Sequence, residues 1–145
     1  MSSTAAFLAQ ALTDELNAHT FSLPFEAVRV YQIDQALGDF ASLGVVVAQR
    51  SLTMTNASRA AAAWELVIDV GAIKKVANAL PATIDPLMVL VEEIALFLRK
   101  RRLAGFPAAV FVSAANEPPY SPDQLREQRQ FASVLSVTYR VMQEG

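Results

Sequence analysis

Trp64-Glu65-Leu66-Val67-Ile68-Asp69-Val70 is the stretch from which the rest of the chain can be placed. Successive side chains of an extended chain point to opposite sides, so Trp64, Leu66, Ile68 and Val70 share one face and Glu65, Val67 and Asp69 the other. This alternation predicts a strand over 65–73, with one face in a core and the other meeting solvent or a partner. Upstream, the valine-rich residues 43–52 read as a second strand, and Val28-Arg29-Val30-Tyr31-Gln32-Ile33 as another, closed by a Leu37-Gly38-Asp39 turn. Between 52 and 64 lie Thr53-Met54-Thr55-Asn56-Ala57-Ser58-Arg59 and four alanines. That segment is too long for a tight hairpin turn and has few large apolar side chains, so it reads as a projecting, mobile arm.

Toward the start, Ser2-Ser3-Thr4 offers helix caps, and Ala5, Leu8, Leu12, Leu16 and His19 recur at helical spacing, predicting a helix that ends near His19. Downstream, Asp85-Pro86 is a good helix start, and Gly105 with Pro107 stops the helix after about Leu103. Leu87, Val91, Ile94 and Leu98 form its buried stripe, yet Val89 and Leu96 lie toward the opposite side. A helix apolar on two faces is usually covered on both. Val110-Phe111-Val112 reads as a strand, Asn116-Glu117-Pro118-Pro119-Tyr120-Ser121-Pro122 as a rigid connector, 123–130 as a short polar helix and 131–141 as a last long strand. This order predicts one α+β domain over 1–145, an antiparallel or mixed sheet of about five strands with two main helices on one face and a projecting β-hairpin arm.

Hydrophobic residues make up 53% of the chain and charged residues 18%, against roughly 25% in an average soluble domain. Disorder is excluded by that balance, and the charge-poor surface fits either a well-filled core or a surface covered by another copy or another protein. The formal charge of −2 gives no global basic field for nucleic acid. Locally the balance shifts: residues 1–98 hold five basic and ten acidic side chains, and 99–145 hold seven and four. The longest apolar stretch, 87–98, is interrupted by Glu92 and Glu93 and falls short of the roughly 20 residues a membrane span needs. No Lys or Arg precedes Arg29, so the start lacks the basic flank of a signal peptide, and a soluble intracellular product with no membrane association is expected.

Catalytic groups are sparse. His19 is the single histidine and sits at a helix end, where it serves the dipole or packs in place, and there is no cysteine. No HExxH, EF-hand, GxGxxG or Walker pattern occurs, so neither cofactor nor metal is expected. Glu92 and Glu93 diverge on their helix, and turn chemistry accounts for Asp34 and Asp39. Arg99-Lys100-Arg101-Arg102 is the one charge run. It either complements the negative pole of its helix or faces DNA or an acidic partner surface.

The opening helix, Leu43-Gly44-Val45-Val46-Val47, Thr55-Asn56-Ala57-Ser58-Arg59, the Trp64 to Val70 strand, the Asp85-headed helix, and Pro119-Tyr120-Ser121-Pro122 through Phe131 to Arg140 together resemble the tail terminator or head-to-tail joining proteins of long-tailed bacteriophages. The resemblance spans nearly the whole chain. It implies a non-enzymatic virion protein, made in the host cytoplasm, whose copies form a ring, a hexamer, at the head-proximal end of the tail tube. Such a ring stops tube polymerisation and meets the tube protein on one side and a neck or connector protein on the other. On that reading Thr53, Met54, Thr55, Asn56, Ser58 and Arg59 reach a neighbouring subunit, and Arg99, Lys100, Arg101 and Arg102 face a partner or, non-specifically, DNA in the channel. Three other readings remain: a neck or tail completion protein, a small-ligand or peptide-binding regulatory module, and an enzyme using carboxylates with Tyr31, Tyr120 or Tyr139.

Overall fold

The computed structural model describes residues 3–31, 42–56, 58, 59 and 61–144, the last two as backbone only. In chain order the elements are α1 (Thr4–Asn17), β1 (Ala27–Arg29), β2 (Gly44–Asn56), β3 (Ala61–Lys75), α2 (Pro81–Leu98), β4 (Val110–Ala115), α3 (Pro122–Gln128) and β5 (Gln130–Glu144). The strands form one sheet in the order β1-β2-β3-β5-β4. Only β1 and β2 run parallel; the other neighbours are antiparallel. The fold is therefore α+β with a mixed sheet of five strands. Gln32, Ile33 and the Leu37-Gly38-Asp39 turn lie outside the described residues.

The period-two pattern of β3 sets the core. Leu66 and Ile68 are fully buried and Val70 nearly so, and the register places them opposite Tyr139, Val137 and Leu135 of β5. Against this face α1 contributes Leu8, Leu12 and Leu16, and α2 contributes Leu90, Ile94 and Leu98, all in one packed cluster. Burying each such side chain is worth roughly 1.5–3 kcal/mol. A smaller cluster joins Ala72 and Phe131 of the sheet to Ile84, Leu87 and Val91 of α2.

Helix α1 starts where its cap dictates, with the Ser3 hydroxyl accepting from the Ala6 amide at 3.2 Å. Its last residue, Asn17, reaches β1: the carboxamide donates to the Ala27 carbonyl at 2.9 Å and accepts from the Ala27 amide at 2.7 Å. Both main-chain groups of Ala27 are thus satisfied by α1, which closes this part of the sheet edge.

Helix α2 begins at Pro81, four residues before the expected Asp85-Pro86 start. Proline is tolerated at the first helical position because its missing N–H would be unpaired there anyway. Asn78 organises this entry, its Oδ1 accepting from the Leu80 amide and the Thr83 hydroxyl. Pro86 lies inside the helix, where one hydrogen bond to the preceding turn is forfeited. The far end also differs from expectation, since α2 stops at Leu98 rather than near Leu103. Lys100 adopts a left-handed backbone, φ 57°, which turns the chain out of the helix. Gly105 has another role: a Cβ there would lie 3.2 Å from the Cβ of Ala11, so glycine lets the loop rest on α1.

Candidate functional site

Most of the segment expected to be a projecting, mobile arm is strand paired within the sheet. Thr53, Met54, Thr55 and Asn56 continue β2 and pair with Glu65, Trp64, Ala63 and Ala62 of β3. Only a short turn remains, in which the Ser58 amide donates to the Ala61 carbonyl at 3.1 Å. Three strands run together here, because β5 follows β3 as far as the Ala61 and Glu144 pair. Threonine suits a pleated strand, and β5 supplies the partner that makes a ladder of the alanine tract. Beyond Gln49 every described residue of β2 is exposed, including Leu52 at 44% and Met54 at 56%, and so are Ser58 and Arg59.

The basic run does not sit on a helix. Arg99 is the C-cap residue of α2, and Lys100, Arg101 and Arg102 follow in the loop. Its members separate in role. Arg101 turns back onto α1, where its Nε donates to Glu15 Oε2 at 2.6 Å and its guanidinium lies 4.2 Å from the centre of the Phe97 ring. The other oxygen of Glu15 accepts from the Ala104 amide at 3.0 Å. Burial pushes the Glu15 carboxyl up, but the Ala104 amide and Arg101 outweigh it and hold the group below the ordinary carboxylate value. All four basic residues are exposed, Arg101 included, and of the four it is Arg101 that pairs with Glu15.

Glu15 also acts on the core. Burial, and then the negative charge of Glu15, raise the pKa of Tyr139, which keeps its phenol protonated. Among the described residues, the Tyr139 hydroxyl, Trp64 Nε1 and Gln49 Oε1 are buried without a hydrogen-bond partner. His19 packs against aromatic rings: it stacks on Phe97 with centroids 4.3 Å apart and meets the edge of Phe21 at 4.7 Å.

The face of the sheet away from α1 and α2 carries a polar set that the sequence pattern did not single out. Arg50 donates to the Ser136 hydroxyl at 3.0 Å, and Ser136 donates to Asp69 at 2.6 Å. Arg50 and Asp69 are themselves 3.7 Å apart. They border an open groove of about 410 Å³ that also touches Glu117, Tyr120 and Gln124. The three groups form one hydrogen-bonded set across the strands. Farther along the same face, Arg140 pairs with Glu65 at 2.8 Å.

These places stay distinct. Tyr120 borders the groove, Tyr139 is in the core and Tyr31 is exposed, so the three tyrosines do not form one site. Among the described residues no group of three His, Asp or Glu could hold a metal ion, and no helix is long and apolar enough to cross a membrane. No protein-family model matches the chain, and no curated protein matches it.

Proposed function

We propose that the chain is a structural subunit of a bacteriophage tail, a tail terminator whose copies form a ring, a hexamer, on the head-proximal end of the tail tube and join it to the neck. The observation that carries this reading is the display of large apolar side chains on two separate surfaces of one chain. Leu52 and Met54 stand on the outer end of β2, and Val89 and Leu96, at 53% and 69% exposure, stand on α2. Two different apolar patches suit head-to-tail contacts, in which one surface of a subunit meets another surface of the next and the series closes into a ring. The resemblance of the segments to tail terminators supplies the setting.

On this reading the protein turns over no substrate and resides in the virion. Thr53, Met54, Thr55, Asn56, Ser58 and Arg59 meet a neighbouring subunit. Arg99, Lys100 and Arg102 face the neck, the tube or DNA, while Arg101 spends its charge on Glu15. The test is to add the purified chain to tail-tube protein during polymerisation. Tubes should stop elongating and carry a ring at one end by negative-stain microscopy. An unchanged length distribution with bare tube ends overturns the proposal.

A further inference from the structure

The second apolar face of α2 is uncovered. Ile84, Leu87, Val91, Ile94 and Leu98 are buried on the side that meets the core. On the opposite side, at the same helical spacing, stand Asp85, Val89, Glu92, Leu96 and Arg99, all exposed. Leu96, at 69%, is the most exposed large hydrophobic side chain among the described residues, and Val89 lies two turns before it on the same face.

Positive charge continues this stripe. Arg99 follows Leu96 by three residues and caps the helix, and Lys100 and Arg102 come next in the loop. Among the described residues none of these three has a carboxylate within ion-pair distance, whereas Arg101 is held by Glu15. The loop that carries them is braced. Glu15 accepts from Arg101 and from the Ala104 amide, Gly105 rests on Ala11, and Phe106 meets the edge of Phe7 with centroids 5.7 Å apart. Glu15, Ala11 and Phe7 recur every four residues on α1, so the loop is laid along one stripe of that helix. A braced backbone has less ordering left to lose when something binds it.

From this arrangement we infer that the outer face of α2 and residues 99–102 form one docking surface for an acidic amphipathic helix of a partner protein. Its apolar stripe lies on Val89 and Leu96, and its carboxylates meet Arg99, Lys100 and Arg102. Charge complementarity selects the carboxylates, and it also sets the direction, because a helix laid the other way would bring them against Asp85 and Glu92. The apolar side chains select protein over nucleic acid. A phosphate backbone gains nothing from Leu96, and the ring that touches the basic run, Phe97, is already in contact with His19 and Arg101 and so is not open to stack a base. The inference rests on the tail reading for which neighbour, tube or neck, supplies the helix, whereas the surface itself needs no tail.

The test uses a labelled synthetic peptide with leucines at helical spacing and glutamates filling its last turn, titrated with the full chain and followed by fluorescence anisotropy. A peptide with serine in place of leucine and a DNA duplex of similar length are titrated alongside. The native chain should bind the leucine peptide. Leu96→Gln, and Lys100→Gln combined with Arg102→Gln, should each weaken that binding by roughly tenfold, and only the second should reduce its salt dependence. Melting temperatures should stay unchanged, since all three positions are exposed and glutamine suits a helix. No binding of the leucine peptide, equal binding of the serine peptide, or binding that both variants leave unmoved overturns the proposal. So does DNA bound more tightly than the leucine peptide, the mark of a phosphate track. Tube elongation separates this surface from the tail reading. A native chain that stops tubes but binds no peptide overturns the docking surface and leaves the tail reading standing, and one that binds the peptide as expected while tubes elongate unchecked does the reverse.

Discussion

Strands β2 and β3 are one ladder with two unlike ends. At the inner end Val45, Val47, Ile68 and Val70 are buried beneath α1 and α2, while at the outer end Leu52, Met54 and every neighbour on β2 from Arg50 to Asn56 stand in solvent. Backbone pairing is continuous throughout apart from the irregularity at Gln49 and Ser51. The difference teaches that pairing alone does not decide what a strand is for. The covered end provides the stability of the chain, and the uncovered end is available to a second surface.

The largest expected effect tests that division directly. Leu66→Ala and Ile68→Ala, at positions with no solvent exposure, should each cost about 2–5 kcal/mol through lost burial and the cavity left behind. Leu52→Ala and Met54→Ala on the same ladder should stay within about 0.5 kcal/mol. Urea denaturation of the isolated chain measures both. Comparable losses at the two ends would show that the outer end belongs to the core and would break the comparison.

A middle-sized effect concerns the anchor between the end of α2 and α1. Glu15 ionises more readily in the folded chain than an ordinary carboxylate, so it binds fewer protons there than in the unfolded chain. Its contribution is therefore fully present above the ordinary carboxylate range and fades as pH falls through the lowered folded value. Glu15→Gln should cost about 1–2 kcal/mol near neutral pH, at the low end because Arg101 is 43% exposed, and the gap to the native chain should close in acid. Lys100→Gln should change little at any pH. Thermal melts from pH 7 to pH 3 compare the three chains, and a gap that widens in acid would reverse the sign argued for Glu15.

Much of the inner end was legible in the sequence, and much of the outer end was not. The alternation from Trp64 to Val70 and the Leu8, Leu12, Leu16 spacing report burial, and burial is what hydrophobic periodicity encodes. Thr53 to Asn56 has no such period because its side chains are exposed on both sides, and the partner that makes strand of the alanines that follow, β5, lies about eighty residues away in sequence. Helix ends misled for a related reason. Asp85-Pro86 has the chemistry of a helix start, but Asn78 and Pro81 supply one a turn earlier. The left-handed turn at Lys100 has no glycine to announce it. The basic run could be found in the sequence, whereas the commitment of Arg101 to Glu15 depends on contacts across 86 positions.

The smallest expected effect separates two ion pairs that cross the strands on one face. Asp69 is 18% exposed and holds both Ser136 and Arg50, whereas Glu65, nearer the outer end, is 45% exposed and bonds to Arg140 alone among the described residues. Asp69→Asn should cost about 0.5–1 kcal/mol, since the hydroxyl of Ser136 loses a charged acceptor in a partly sheltered place. Glu65→Gln should cost less than about 0.5 kcal/mol, as exposed pairs do. Salt sharpens the contrast. In 1 M salt, where screening acts over roughly 3 Å, the Glu65 effect should vanish while most of the Asp69 effect persists, because a short hydrogen bond is shielded less than an exposed charge pair. Paired urea titrations at low and high salt measure this. Equal salt sensitivity at both positions would mean that the outer end is as sheltered in the single chain as the middle of the sheet, and that its exposure is not what sets it apart.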